Sequence, residues 1–204
     1  MPLAAGVELD AWCLKPPDFD ATKKYPLLIH VYGEPAGSTV KDAWGGKSHL
    51  WHFMLAQQGY LVMSIDNRGT DTPRGRAWRK SIYRQIGILA SQDQAAALKK
   101  VIATRPYVDA ERIGIWGWSG GGSMTLNALL RHPDLYHTGI SIASVVGSVA
   151  SRPAPPSVTA SATPTPVSPR PSRLFRNASH AAWLSPRAIS GSSPAAWVWP
   201  APLC

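Results

Sequence analysis

Residues 114–124 read GIWGWSGGGSM, an apolar run that breaks into glycines around a serine. Ser119 is flanked by Gly117 and Gly121 in the pattern G-x-S-x-G. Alone, that pattern arises by chance in roughly one chain in fifteen of this length. Its surroundings say more. "RIGIW" (112–116) precedes it as a short apolar strand, and "GGSMTLNALLRH" (121–132) follows as a helix that halts before Pro133. Strand, tight turn and helix together are the setting of a nucleophile elbow. So sharp a turn would drive neighbouring side chains together, which is why glycines surround the serine. The helix N-terminus brings backbone N–H groups and partial positive charge to the place where an oxyanion develops. The bland reading of the same residues is a glycine-rich turn with no chemistry.

Outward from the elbow, strand and helix patterns alternate over residues 1 to about 145. "GVELDAWCL" (6–14) alternates apolar and polar residues, as a strand does. "PLLIHVY" (26–32) is a continuous apolar run that ends at Gly33 and reads as a buried strand. "SHLWHFMLAQQG" (48–59) spaces Leu50, Phe53, Met54 and Gln57 as a helix would, with Ser48 as expected N-cap and Gly59 as stop. "YLVMSID" (60–66) is another buried strand. "SQDQAAALKKVIATR" (91–105) is a helix with Ser91 as expected cap, and "HTGISIASV" (137–145) is a last strand. This alternation predicts an α/β class with a mostly parallel sheet covered on both faces.

After about Val146 the composition changes. Residues 147–204 are rich in Pro, Ser, Ala and Arg, without acidic residues, lysine or any helical or strand period. Such a segment cannot build a core and is expected to be disordered. A GC-rich gene read out of frame produces this composition; a genuine proline-rich extension is the other reading. The expected organisation is therefore a folded unit over 1–146 and a low-complexity tail over 147–204.

The bulk numbers exclude several functions. The net charge of +9 suggests a nucleic-acid partner, but its distribution argues against one. All twelve acidic residues lie at or before Asp134, and the tail excess is five arginines (Arg152, Arg170, Arg173, Arg176, Arg187) scattered among prolines. No apolar stretch approaches the ~18 residues of a membrane span. "MPLAAGVELD" lacks the pattern of an export leader, so no localisation is assigned. Cys13 and Cys204 form neither a disulfide framework nor a metal cluster. "GGGS" lacks the lysine of a phosphate loop. No cofactor and no metal are expected. The sequon at Asn177 carries no weight.

"IWGWSGGGSMTLNALLRHPDLY" (115–136) resembles the catalytic domain of the prolyl oligopeptidase family of serine peptidases, in particular its dipeptidyl peptidase IV-like branch. "YPLLIHVYGEPAG" (25–37) is similar to the strand and loop that carry that branch's oxyanion tyrosine. "MSIDNRGTDTPRGRAWRKSIYRQIG" (63–87) resembles its D-x-R-G-[ST] loop, and "DQAAALKKVIATRPYVDAERIGIWGWSGG" (93–121) keeps the order of helix, turn, strand and elbow. The resemblance runs from about Gly6 to about Ser144. It implies an α/β-hydrolase fold, here incomplete, and acyl transfer through Ser119 as nucleophile. It also implies an oxyanion hole formed by the Gly120 backbone N–H and the Tyr32 hydroxyl. Without the resemblance, Tyr32 reads as a strand-end aromatic at the core edge.

Acyl transfer by serine also needs a histidine base and an acid to orient it, which in α/β hydrolases follow the serine. No Asp or Glu follows Asp134, which itself lies just past the elbow helix. His180 has no acid partner or strand-end context. His30, His49, His52, His132 and His137 read as surface or packing residues. The family's β-propeller would precede this chain, and "VGSVASRPAPP" (146–156) stands where its substrate-pocket segment would follow. The expected function is thus a serine peptidase by family, inactive or very weak as this chain, with peptides as substrates. The alternatives are a non-catalytic binding or assembly module, paired with an intact homologue or a propeller-containing chain, and an esterase or lipase. Losing the last strands leaves an apolar sheet edge. The isolated chain is therefore expected to be poorly soluble or only partly ordered; a sharp, cooperative thermal transition would contradict this.

Overall fold

The apolar runs become a sheet whose centre is parallel. The computed structural model describes residues 1–3, 6–145 and 181–184, with the backbone alone for Ser48 and for 181–184. The elements in chain order are β1 (Asp10–Leu14), β2 (Tyr25–His30), α1 (Lys47–Gln57), β3 (Leu61–Asp66), α2 (Gly75–Lys80), α3 (Leu89–Thr104), β4 (Val108–Trp118), α4 (Gly120–Arg131), β5 (Thr138–Ile142) and β6 (Ala181–Leu184). The strand order is β1-β3-β2-β4-β5-β6. β2 runs parallel to β3 and β4, and β4 parallel to β5, while β1 and β6 lie antiparallel at the edges. Each parallel crossover passes through a helix, as a parallel connection requires.

Both faces are covered. On one, Leu27, Ile29, Val31, Ile113 and Ile115 pack with Ala97, Leu98 and Val101 of α3 and Met124, Ala128 and Leu129 of α4. On the other, α1 lies over Trp12, His30 and Trp116, and β3 is consequently buried at every residue. β2 alternates instead, with Tyr25, Leu27 and Ile29 buried and Leu28 and His30 partly covered, so the expected fully buried strand is buried on one face. No helix among the described residues is long and apolar enough to cross a membrane.

Several local expectations need correction. α1 starts at Lys47 with Gly46 at its N-cap position, so Ser48 does not cap it. Its inward residues are His52, Leu55 and Ala56, while Leu50 and Met54 are 56% and 44% exposed. α3 starts at Leu89 with Ile88 at the N-cap position, and Ser91 lies buried inside the helix. The strand expected over 137–145 spans Thr138–Ile142. The edge of β5, expected to be bare, is paired by β6 from Gly139 to Ile142. A strand at Ala181–Leu184 departs from the strandless tail read from composition. The rest of 147–204, with the disorder expected there, lies outside the described residues.

The α1 face is built from flat polar rings. His52 stands 5.0 Å from His30, 5.5 Å from His49 and 5.4 Å from Trp116, and His30 stacks on Trp116 at 4.5 Å. Neither ring nitrogen of His52 has a hydrogen-bond partner. Burial, reinforced by the neighbouring imidazoles, pushes His30 down from 6.5 to about 3 and His52 to about 4. The folded chain thus keeps both rings neutral, and the unfolded chain takes up more protons as pH falls below about 6.5. Stability is complete above that pH and declines toward pH 4. The lowered carboxylates Asp20 and Asp109 titrate at or below the ordinary 3.8 and act outside this window. Thermal unfolding is expected to shift down by several degrees between pH 7.5 and pH 5. His52→Phe should shrink that shift even though His132, also lowered by burial, is retained. An equal shift in both proteins would remove the cluster as the cause.

Candidate active site

Ser119 sits where β4 ends and α4 begins, with φ 56 and ψ −117. A non-glycine residue in that region costs about 1–3 kcal/mol and persists only where its surroundings hold it. They do so here through hydrogen bonds. The Ser119 N–H donates to the Ile142 carbonyl at 2.9 Å, and the Ser141 hydroxyl donates to the Gly122 carbonyl at 2.9 Å. The Ser123 hydroxyl donates to the Val145 carbonyl at 2.9 Å. Three contacts therefore clamp the first turn of α4 to the end of β5.

The glycines are set by close approach. A Cβ on Gly121 would fall 2.2 Å from the Val31 carbonyl oxygen and 3.3 Å from Tyr32 Cα. One on Gly117 would fall 2.5 Å from the same oxygen, and one on Gly122 would fall 2.6 Å from the Ile142 oxygen. The start of α4 thus lies directly on the backbone of two strand ends. The Ser119 N–H is committed to Ile142, whereas the Gly120 N–H belongs to the first helical turn, where no intrahelical acceptor exists.

This packing brings Tyr32 and Gly120 to the same end of α4. The Tyr32 backbone lies against Gly121, and its half-buried ring lies 3.4 Å from the Cβ position of Gly37. The loop that carries Tyr32 is held from below. Asn67 donates through Nδ2 to the Gly33 carbonyl at 3.2 Å. Asp66 accepts from the Ser38 hydroxyl, from the Thr39 N–H and hydroxyl at 2.9 Å each, and from the Val40 N–H at 3.2 Å. Arg68 makes a two-pronged pair with Asp93, Nε to Oδ2 at 2.9 Å and an outer nitrogen to Oδ1 at 2.7 Å. That pair raises the Arg68 pKa. Gln94 donates to the Ile65 carbonyl at 2.6 Å and to Asn67 Oδ1 at 3.2 Å.

Sequence reasoning assigned no role to Asp66, Asn67, Asp93 or Gln94, nor to Glu34. The signal available was a run of polar residues directly after an apolar strand, which a buried anchor and a solvated loop share.

His132 and His137 stand apart from this end of α4. His132 lies at the far end of the helix, about 20 Å from Ser119 at ~1.5 Å per residue. His137 precedes β5 and donates its backbone N–H to Ile113, at the opposite end of the parallel strands. His30, His49 and His52 belong to the aromatic cluster under α1. His180 lies outside the described residues. Asp10, Ser38, Asp42 and Asp71 line a cavity of about 520 Å³ beside β1 that includes neither Ser119, Tyr32 nor Gly120. Among the described residues, no group of His, Cys, Asp and Glu could hold a metal ion.

Residues 48–161, more than half of the chain, match the prolyl oligopeptidase family. The chain belongs to that family. It is 38% identical over 131 residues to mouse prolyl endopeptidase FAP, covering 64% of this chain and 17% of that protein. It is 36% identical over 146 residues to dipeptidyl peptidase 4 of Trichophyton equinum, covering 70% of this chain and 18% of that one. The crystal structure of Porphyromonas gingivalis dipeptidyl peptidase 4 superimposes with a TM-score of 0.65 at 44% identity, over 71% of this chain and 20% of the other. This prolyl oligopeptidase family chain therefore spans less than a fifth of the length of these two curated relatives. The sheet and elbow are an incomplete α/β-hydrolase fold, as the motifs implied.

In a family member with this elbow, Gly121→Ala must push the β2 end off α4. Equilibrium denaturation is expected to show a loss of about 3 kcal/mol, in the range of core overpacking. Gly59→Ala, at a positive φ with nothing within 4 Å, is expected to lose only about 1 kcal/mol. Equal losses would mean that steric approach does not govern the elbow.

Proposed function

We propose that this chain carries the nucleophile and oxyanion side of a serine peptidase site of the dipeptidyl peptidase type, acting on peptides. Ser119 Oγ adds to the substrate carbonyl carbon. The resulting oxyanion is received by the Gly120 N–H and the Tyr32 hydroxyl, and the C–N bond then breaks to leave a Ser119 acyl ester. The observation that carries this reading is the backbone of Ser119: a non-glycine residue at φ 56, at a strand end, under the N-terminus of a 12-residue helix.

The proton of Oγ needs an acceptor, and the leaving amine needs a donor. His132 and His137 lie at the wrong ends of their elements. His30 and His52, pushed down to about 3 and about 4, are weak bases at neutral pH. On this reading residues 1–145 supply the nucleophile and the oxyanion donors, no histidine among the described residues is assigned as the base, and the activity of this chain alone is very weak. The same absence favours a second reading, a non-catalytic module that keeps the family fold. The family match and the extended similarity around Tyr32 weigh against an esterase or lipase.

A fluorophosphonate probe tests the assignment. Slow labelling is expected, mapped to Ser119, abolished by Ser119→Ala and reduced at least about tenfold by Tyr32→Phe, as loss of an oxyanion donor does. No turnover of an Ala-Pro chromogenic amide is expected. Rapid labelling or measurable turnover would reveal a complete triad. Labelling that does not depend on Ser119, or none at all, would make the non-catalytic module the correct reading.

A further inference from the structure

The turn that follows Tyr32 is made by a glycine, and a glycine does not hold its own conformation. Gly33 sits at φ 78; lacking a Cβ, it adopts positive and negative φ about equally unless something fixes it. Its surroundings do so. A Cβ there would lie 2.5 Å from Met124 Cγ and 3.4 Å from Asn67 Oδ1, so the residue is wedged between α4 and the loop after β3. Its carbonyl accepts from Asn67 Nδ2 at 3.2 Å. Asn67 is fully buried, and both ends of its amide are used. Nδ2 also donates to the Arg68 carbonyl at 2.8 Å, and Oδ1 accepts from Gln94 Nε2 at 3.2 Å. Gln94 is buried as well and donates to the Ile65 carbonyl at 2.6 Å. Facing two carbonyls on one side and a donor on the other, the Asn67 amide has a single orientation. A chain of hydrogen bonds thus runs from α3 through Asn67 to the residue after Tyr32.

We propose that Asn67 is a positioning residue for the Tyr32 hydroxyl. The inference rests on the reading of Ser119 as nucleophile and Tyr32 as oxyanion donor. The segment around Tyr32 meets the first turn of α4 on both sides, the Val31 carbonyl at the Cβ position of Gly121 and Glu34 at that of Gly120. Those contacts set where the segment lies. The Tyr32 ring then rests against Gly37, and its hydroxyl, at the far end of the side chain, magnifies any tilt of the ring. Gly33 is the joint between Tyr32 and Gly37, and Asn67 fixes that joint. The far end of the same loop is held by Asp66 through Ser38, Thr39 and Val40, so two consecutive residues grip it at both ends. A donor held in this way needs no reorientation when the oxyanion forms.

The test is a double-mutant cycle on the full chain, read as the second-order rate of labelling by an uncharged alkyl fluorophosphonate. Asn67→Ala and Gln94→Met are each made alone and together with Tyr32→Phe, with Ser119→Ala and Gly59→Ala as controls. Asn67→Ala is expected to lower the rate about fivefold, less than removal of the hydroxyl, because a misplaced donor still contributes. Gln94→Met, which releases the Asn67 amide, is expected to lower it about twofold. Neither should change the rate in a protein that already carries Tyr32→Phe. Gly59→Ala, destabilised away from the site, should label at the rate of the unaltered chain. Should Asn67→Ala fail to fold, the cycle with Gln94→Met decides. Equal losses with and without Tyr32→Phe, or no loss at all, overturn the inference while leaving Ser119 and Tyr32 in their roles. A comparable loss in Gly59→Ala makes lowered stability the cause and overturns it too. Labelling that survives Ser119→Ala, that is absent from every protein, or that ignores Tyr32→Phe overturns the earlier reading and the inference with it.

Discussion

The first turn of α4 must rest on two strand ends at once, and the carbonyl oxygens of those strands limit what the turn can contain. Val31 on one side and Ile142 on the other leave no room for a Cβ at 117, 121 or 122. The sheet order makes this unavoidable, because β4 lies between β2 and β5 and hands the chain directly to α4. Had the order placed another strand beside β4, different carbonyls would face the turn. The Ser119 backbone angles follow from the same constraint: its N–H reaches Ile142 while the next residue already enters the helix. Ala143, just beyond β5, also takes a positive φ of 48, so both sides of this contact hold backbone away from its common wells.

Holding a strained turn requires a stiff frame, and buried carboxylates supply it. Asp66 is fully covered and has no cation; four donors from Ser38, Thr39 and Val40 satisfy it. Burying a carboxylate is tolerated only when hydrogen bonds replace its water. Here those bonds pin the loop that follows Tyr32. Asp93 does the same for the next loop by gripping Arg68, whose outer face remains partly in solvent. Removing Arg68 is more damaging than the pair is stabilising, because Asp93 is then left buried and charged. The frame is thus specified by Asp66 at the end of β3, Arg68 just beyond it and Asp93 in α3, and Asn67 transmits it to Gly33.

This explains what could be read in the sequence. β3, β4 and α4 were legible because an apolar run or a 3.6-residue period is a local property of neighbouring letters. The inward face of α1 was not, because it is carried by His52 beside Trp116 and His30. Imidazoles count as polar in any periodicity, yet packed among indoles they behave as flat apolar rings. Leu50 and Met54 consequently drew the helix the wrong way. Ser48 and Ser91 failed as caps because serine caps a helix only where the backbone leaves it, and both helices begin earlier. β6 depends on a partner far away in the chain, and its own four residues have no period to betray it. At the site, Ser119 and Gly120 were marked by a compact motif and Tyr32 by resemblance. Asp66 and Asp93 acquire their roles only where loops distant in the chain converge.

The elbow and the proton relay are separable in physical terms. The elbow is imposed by backbone packing that exists whether or not a base is present, and it leaves helix N–H groups aimed at one place. Removing a member of a Ser-His-Asp relay still leaves rate enhancement of about 10³–10⁴ over water from oxyanion binding and positioning. On the reading of Ser119 as nucleophile, that residue of reactivity is what residues 1–145 can supply.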